Sequence, residues 1–417
     1  MRRSQNRILT THTGRLERPT ELTIRMAEHP EGRPSDLAFE ELLGNAVADV
    51  VKRQADTGID VVTDGEFGKL SWNLYVTSRL SGWEQVEGAK YVETGKDRRD
   101  FAQYYEDSQR NGVYYFKNPA GKRQTAFPVF KGPIRYTGHN HLQTDIKNLK
   151  AARDEVAVED VFLPSTAPGS VFYENRFYKT RREFVFAMAD ALKEEYRAIV
   201  DAGFVLHIDD PMITTFWDNM LPDADPKKFQ AMCADGIEAL NYALAGIDAE
   251  QVRMHVCWGS WHGPHSTDVP LRHVLPILSK ANVGGYVLEA GNVRHEHEWQ
   301  VWKDAKLPEG RILIPGVVSH STDTIEHPEL VAWRLGLYAD VVGRENIIAG
   351  TDCGLGYRVH PQIAWAKLKA LAEGAALASK QLWPRKRRRA GRTAPAWRPA
   401  QRSRRTRRSV SAHRHRS

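Results

Sequence analysis

The sequence predicts an α/β fold: a single (β/α)8 barrel with a long insertion after the second strand and a disordered basic tail. Three observations lead there. Eight short runs start apolar and end polar, and most are followed by apolar residues at helical spacing. Strands that alternate with helices pair in parallel, and eight such units close a barrel. The chain has 417 residues, a length that α/β barrels reach as one domain.

The runs are, in order, "ILTTH" from Ile8, "DVVTDGE" from Asp60, "VFLPST" from Val161 and "FVLHIDDP" from Phe204. "RMHVCW" from Arg253, "GYVLEAG" from Gly285, "ILIPGVVS" from Ile312 and "NIIAGTDCG" from Asn346 complete the set. Between them, "TRREFVFAMADALKEEYRAIVDAG" is helical and stops on Gly203. "HPELVAWRLGLYADVVG" puts Pro328 in a first turn, where its missing N–H costs little. The barrel is expected over 1–383, the insertion over 67–160 and the tail over 384–417. The insertion is too long for one βα connection. It holds a further candidate strand, "FPVFKGPIRYTG", and is expected to cover the barrel mouth or form a subunit contact.

The net charge of +7 conceals two opposite parts. The tail carries thirteen Arg, one Lys and no acid, so the remainder is at −7. That body has no footprint for nucleic acid. The tail is expected to be disordered and self-repelling, with nonspecific contact to polyanions as its one route to nucleic acid. The three cysteines, Cys233, Cys257 and Cys353, are too few and too odd for a disulfide framework, which suits a reducing compartment. The N-terminal stretch has no apolar h-region, and no run is long enough to span a bilayer. A cytoplasmic protein without membrane contact is expected.

Barrels of this kind keep their chemistry at the C-terminal strand ends. Those ends carry His12, Asp64, Glu66, Ser165, Asp209, Asp210, His255, Cys257, Glu289, Ser319, Asp352 and Cys353. Residues i and i+2 of a strand share a face, so His255 and Cys257 project together. With Cys353 from another strand end they offer the thiolate and imidazole donors that zinc prefers, and Glu289 offers a fourth. The plainer alternative stays open at this point. A buried Cys is a small apolar residue, and a lone strand His is usually satisfied core. Cys233 lies in a helical pattern and is expected in the core.

The stretches "TTHTG", "DVVTDGE", "LHIDDP", "HVCWGSWHGPHS", "LEAGNVRHEHEW", "PGVVSHSTDTIEHPELVAWRL" and "AGTDCGLG" carry a resemblance. The chain resembles the cobalamin-independent methionine synthase family. Within it, the chain looks most like a single-barrel branch that includes epoxyalkane:coenzyme M transferase. The resemblance runs from about Ile8 to Trp383 and is most specific from His255 to Gly356. It implies a (β/α)8 barrel and zinc on His255, Cys257 and Cys353, with Glu289 or the substrate sulfur as fourth ligand. It implies a small thiol acceptor and an alkyl donor as partners, with Glu66 and Asp209 on the acceptor's amino group.

His12 and Arg15 join Glu66 and Asp209 as the expected acceptor-binding set. His262, His265 and His295 are candidate proton donors, since imidazole titrates near neutrality. Each has an equal alternative as a solvated or capping histidine. Arg15 stands where the family often has serine, after "THTG". An arginine fork suits a carboxylate, phosphate or sulfonate, or else faces solvent. His207 stands where the family usually has glutamine. The long methionine synthases have two barrels and this chain has one, so folate use is not implied. The expected activity is thiol methylation or alkylation, and thiol addition to an epoxide is the alternative. A polyanion-binding protein acting through the tail is the alternative of another class. A dehydrogenase reading fails because G-x-G-x-x-G does not follow the first strand. "HEHE" at His295–Glu298 is expected to be a solvated loop or helix start rather than a second metal site. Homo-oligomerisation is left open.

Overall fold

A computed structural model describes residues 1–384 except 30–32, 73, 89–94, 112–125, 172, 222–224 and 261. The expectations for the tail, from disorder to polyanion contact, lie outside the described residues apart from Pro384. Residues Met1–Trp383 form one unit.

Seven parallel strands lie side by side in the order Val61–Val62, Asp160–Thr166, Val205–Asp209, Val252–Val256, Gly285–Glu289, Ile312–Val318 and Gly350–Thr351. The first run of the chain joins the two ends. Thr10 bridges Ala349 and Thr11 bridges Val61, both in parallel. The ring therefore has eight members, as expected, although its N-terminal member makes only isolated bridges.

The helices follow local chemistry. Helix Leu37–Thr57 starts on Asp36, whose carboxylate accepts from the Phe39 N–H at 3.0 Å, and ends on left-handed Gly58. Thr180 caps helix Arg181–Asp201 through the Glu183 N–H. His327 caps helix Pro328–Val342, with Pro328 in its first turn. Cys233 is buried in helix Pro226–Ala243, in the core as expected.

The barrel interior alternates between apolar and polar layers. Val61, Phe162 and Val205 form one buried cluster, and Leu9, Val287, Ile312, Ile314 and Ile348 another; the Met1 side chain packs on both. Beside them the inward face of Val252–Val256 carries Arg253 and His255. Arg253 reaches across to the opposite wall, donating to the Thr11 hydroxyl at 2.9 Å and the His12 carbonyl at 3.0 Å. Its guanidinium lies 3.6 Å from the centre of the Phe162 ring.

The excursion after the second strand builds a small side sheet, in which Ala126–Phe130 pairs with Trp83–Glu87 and Glu174–Asn175. The extra candidate strand thus lies outside the barrel. The excursion's last helix, His139–Asp154, packs on Leu37–Thr57. A buried ionic network ties these parts together. Asp145 accepts from Arg33 and Arg79, and Glu195 accepts from Arg79 at 2.8 Å, Tyr75 at 2.9 Å, Tyr136 at 2.8 Å and Ser165 at 2.8 Å. Ser165, a strand-end residue, therefore serves the outer shell and not the mouth.

Burial favours the neutral acid at Asp145, but Arg33 and Arg79 outweigh it and hold the carboxyl below its ordinary value. Asp145→Asn is expected to cost about 3–5 kcal/mol at neutral pH, because buried Arg33 loses its carboxylate and Arg79 keeps only Glu195. A folded pKa below the unfolded one gives stability that is complete above the unfolded value and lost as pH falls through the folded one. The gap between wild type and variant, read from urea titrations, is expected to shrink below about pH 4.

Candidate metal centre

Three of the expected ligands converge. One donor atom from each of His255, Cys257 and Cys353 lies within 4.8 Å of the others. Tetrahedral zinc with sulfur about 2.3 Å away needs ligand atoms roughly 3.8 Å apart, so the cluster fits with little adjustment. Strand alternation supplies two of the three donors. The third arrives because Gly350–Thr351 pairs with Ile312–Val318, which places Cys353 just beyond that strand's end.

The cluster holds a thiolate, a thiol and an imidazolium, and a cation bound there would displace the protons of the last two. The Cys353 sulfur accepts from Cys257, and this outweighs burial, helped by a hydrogen bond from His255; its pKa lies well below the ordinary thiol range. Cys257 gives up that hydrogen bond and is buried, so its pKa lies well above. Burial disfavours the His255 imidazolium, but bonds to Asp209 and Cys353 hold it up to about 10. His255 bonds Asp209 through Nδ1 at 2.7 Å, which leaves Nε2 for the cluster. A carboxylate behind the imidazole is the usual support of a histidine ligand.

A longer chain of bonds lies behind that carboxylate. Arg253 Nε donates to His207 Nδ1 at 2.7 Å, so His207 carries its proton on Nε2 and donates it to Asp209 at 3.2 Å. Burial first, and then Arg253, press the His207 pKa down to about 3. Despite burial, the two imidazoles keep Asp209 ionised. The histidine standing in for the family's glutamine is thus one link in a relay from Arg253 to the candidate ligand.

Glu289 stands in a neighbouring group with His320 and Asp352, and not in the sulfur cluster. Its carboxylate accepts from the Trp258 N–H at 2.7 Å and from Asn292 at 2.6 Å. Asp352 accepts from the N–H groups of Ala290 at 2.7 Å and Gly291 at 2.8 Å. Burial raises Glu289 to about 8 and Asp352 to about 7. His320 was not among the expected residues. It is 1% exposed, and neither ring nitrogen has a hydrogen-bond partner among the described residues. Its signal in the sequence was its place two residues past the end of Ile312–Val318.

Glu66 sits at φ +60, a conformation rare for a side-chain-bearing residue, and its Oε2 is buried without a hydrogen-bond partner among the described residues. Burial, and then the charge of Asp209, raise it to about 7. Lys69 and Arg15 offset that only in part, so Glu66 and Asp209 leave acidic character on this side of the mouth. Asp210 faces elsewhere, accepting from Ser170 at 2.6 Å. His12 donates to Gln54 of a barrel helix at 2.8 Å, and its Nδ1 has no side-chain partner among the described residues.

No family model matches the chain. Methionine synthases of Sulfurisphaera tokodaii and Sulfolobus acidocaldarius are each 24% identical to it, over 89% of this chain and 93% of theirs. A B12-independent methionine synthase from Shewanella sp. W3-18-1, solved with selenomethionine, superposes with a TM-score of 0.66 at 21% identity. That match covers 90% of this chain and 99% of the other. A putative vitamin-B12-independent methionine synthase from Listeria monocytogenes gives 0.59 at 18% identity, over 89% of this chain and 98% of that one. The resemblance to the cobalamin-independent methionine synthases holds. The solved structures share the single-barrel fold.

The candidate proton donors divide. His265 bonds Asp268 at 3.1 Å, and His262 bonds the Arg358 carbonyl at 3.0 Å. Both lie on the loop after Cys257, and the excursion covers that loop. Tyr104 donates to the His262 carbonyl at 2.9 Å, and Asp97 accepts from the Ser266 N–H at 3.0 Å. The "HEHE" run starts a 3-10 helix, Glu296–Lys303, as expected, but His295 itself is buried and not solvated. It bonds Glu298 at 2.8 Å and Asp268 at 3.1 Å, with Trp258 packed on its ring 4.3 Å away. Burial opposes its charge, but the two carboxylates hold it up to about 10. An imidazolium so paired keeps its proton and anchors Trp258, the residue after Cys257.

Proposed function

We propose that this chain transfers a methyl or alkyl group to a small thiol without cobalamin, using zinc held by His255, Cys257 and Cys353. The convergence of those three donors from two distant stretches of sequence is the observation that carries this reading. The relatives named methionine synthase support it, since they align over nearly all of the barrel. Zinc in this cluster would supply a Lewis acid that makes an incoming thiol a thiolate at neutral pH. Because Glu289 is engaged by Trp258 and Asn292, we assign the fourth position to the acceptor's sulfur.

The chain's own residues do the rest. Asp209 fixes the orientation of His255. Glu66, with Asp209 beside it, takes a cationic group on the acceptor. His12 and Arg15 complete the acceptor wall. In the reaction the thiol loses its proton, a sulfur–carbon bond forms, and the bond from that carbon to its leaving atom breaks. The leaving atom then takes a proton, which we assign to the mouth histidines His262 and His265. His295 serves by holding Trp258. No helix among the described residues is long and apolar enough to cross a membrane. Three free cysteines are best kept reduced in the cytoplasm, where we place the reaction.

Purified zinc-loaded protein would be assayed for thiol loss under two conditions. One pairs homocysteine with methyltetrahydrofolate. The other pairs homocysteine, 2-mercaptoethanesulfonate or glutathione with an epoxide. Zinc-dependent consumption of at least one thiol is expected, and the productive donor separates methyl transfer from epoxide opening. Deleting residues 384–417 is expected to leave that activity intact. No thiol consumed with either donor would refute the reading.

A further inference from the structure

On the outer face of the barrel wall, a cavity of about 530 Å³ opens between helix Leu271–Leu278 and the 3-10 helix Glu296–Lys303. Strand alternation puts Tyr286 there. Its neighbour Val287 points into the barrel, in the apolar cluster with Leu9 and Ile314, so Tyr286 points out. Leu275 and the buried ring of Trp302 form an apolar part of the wall. Two cations, Arg272 and Lys306, and one anion, Asp304, stand at the exposed edge. None of the three forms an ion pair among the described residues.

Tyr286 is 2% exposed, and its hydroxyl is buried with no hydrogen-bond partner among the described residues. Leaving a buried hydroxyl unbonded costs free energy, and phenylalanine would fill the same space without that cost. Other buried tyrosines do find acceptors. Tyr75 and Tyr136 donate to Glu195, and Tyr196 donates to the Thr166 carbonyl at 2.6 Å. Burial raises the Tyr286 pKa and the charge of Arg311 pulls the other way, so a third cation stands near this hydroxyl. The cavity falls within the roughly 300–1,000 Å³ of small-molecule sites, which pair apolar walls with a few polar groups.

We propose that this cavity binds a small carboxylate with an apolar body. The carboxylate accepts from the Tyr286 hydroxyl, and the body lies against Leu275 and Trp302. Arg272, Lys306 and Arg311 against the single Asp304 favour an anion over a cation of the same shape. The proposal goes beyond the thiol-transfer reading and does not depend on it, since Tyr286 faces away from the barrel interior that holds His255.

Calorimetric titration of the full chain with 4-phenylbutyrate, its neutral amide and 4-phenylbutylamine tests this. The acid is expected to bind roughly tenfold more tightly than the amide, the lower end for hydrogen bonds to a charged group, and the amine more weakly than either. Tyr286→Phe is expected to remove most of the acid's advantage. The same variant without ligand is expected to melt no lower than wild type, since the hydroxyl gives up no internal bond. Arg272→Gln is expected to narrow the gap between acid and amide. Leu275→Trp fills the cavity and is expected to abolish uptake of all three, with its fold checked by circular dichroism. Equal affinities for acid and amide, acid binding that survives Leu275→Trp, or no uptake by wild type would overturn the proposal. So would a lowered melting temperature in Tyr286→Phe, which would reveal an internal partner for the hydroxyl.

Discussion

Replacing Cys353 with serine is expected to strip the protein of stoichiometric zinc and of thiol alkylation, with the fold intact. Zinc bound through four protein ligands gains about 10–16 kcal/mol, or about 2.5–4 kcal/mol per ligand. Loss of one ligand then lowers affinity on the order of a hundred- to a thousandfold. Serine cannot stand in for this sulfur, since its hydroxyl is a harder donor that stays protonated. Cys353 is also the group that Cys257 and His255 both address. The variant would be read by competition with a chromogenic chelator and by thermal melting. Cys233→Ser is the control: that thiol is buried in helix Pro226–Ala243, and its loss is expected to leave zinc unchanged. Retention of stoichiometric zinc by Cys353→Ser would remove this residue from the centre.

The second large effect is expected one step back from the cluster. Asp209 accepts from His255 at 2.7 Å and His207 at 3.2 Å, and Arg253 holds His207 from behind at 2.7 Å. Asp209→Asn keeps the shape but removes the charge, so the oxygen that both imidazoles share accepts more weakly. Carboxylates behind ligand histidines are worth ten- to a hundredfold in metal affinity, and a loss in that range is expected here. Arg253→Met should act through the same path and more weakly, because it frees the His207 tautomer but leaves the carboxylate. Chelator competition on both variants, with wild type alongside, gives the order. If Asp209→Asn held zinc as tightly as wild type and only acceptor binding fell, Asp209 would be a substrate residue alone.

The alternation of strands with helices made the barrel legible, because eight runs share one polarity of composition. The pairing of His255 with Cys257 was legible too, because a strand repeats every two residues. The same rule placed Arg253 on that face, but its meaning emerged only when the closed ring put His207, Thr11 and Phe162 around it. Ser165 shows the converse. It ends a strand, yet its position in the alternation turns it outward to Glu195. Glu289 and His295 carried the right chemistry but found other partners in Trp258, Asn292, Asp268 and Glu298, which no sequence spacing reveals. The first run was recognisable as a strand although it holds its place through single bridges, since hydrogen bonds to neighbouring segments are not encoded locally.

The claim beneath all of this is that His255, Cys257 and Cys353 share one zinc ion. Elemental analysis combined with X-ray absorption at the zinc edge measures it directly on purified full-length protein. One zinc per chain is expected, with two sulfur neighbours near 2.3 Å (~2.3 Å is the usual zinc–thiolate length) and at least one nitrogen near ~2.0 Å. A third sulfur should appear when the acceptor thiol is added. Protein without stoichiometric zinc, or a shell of nitrogen and oxygen alone, would contradict it.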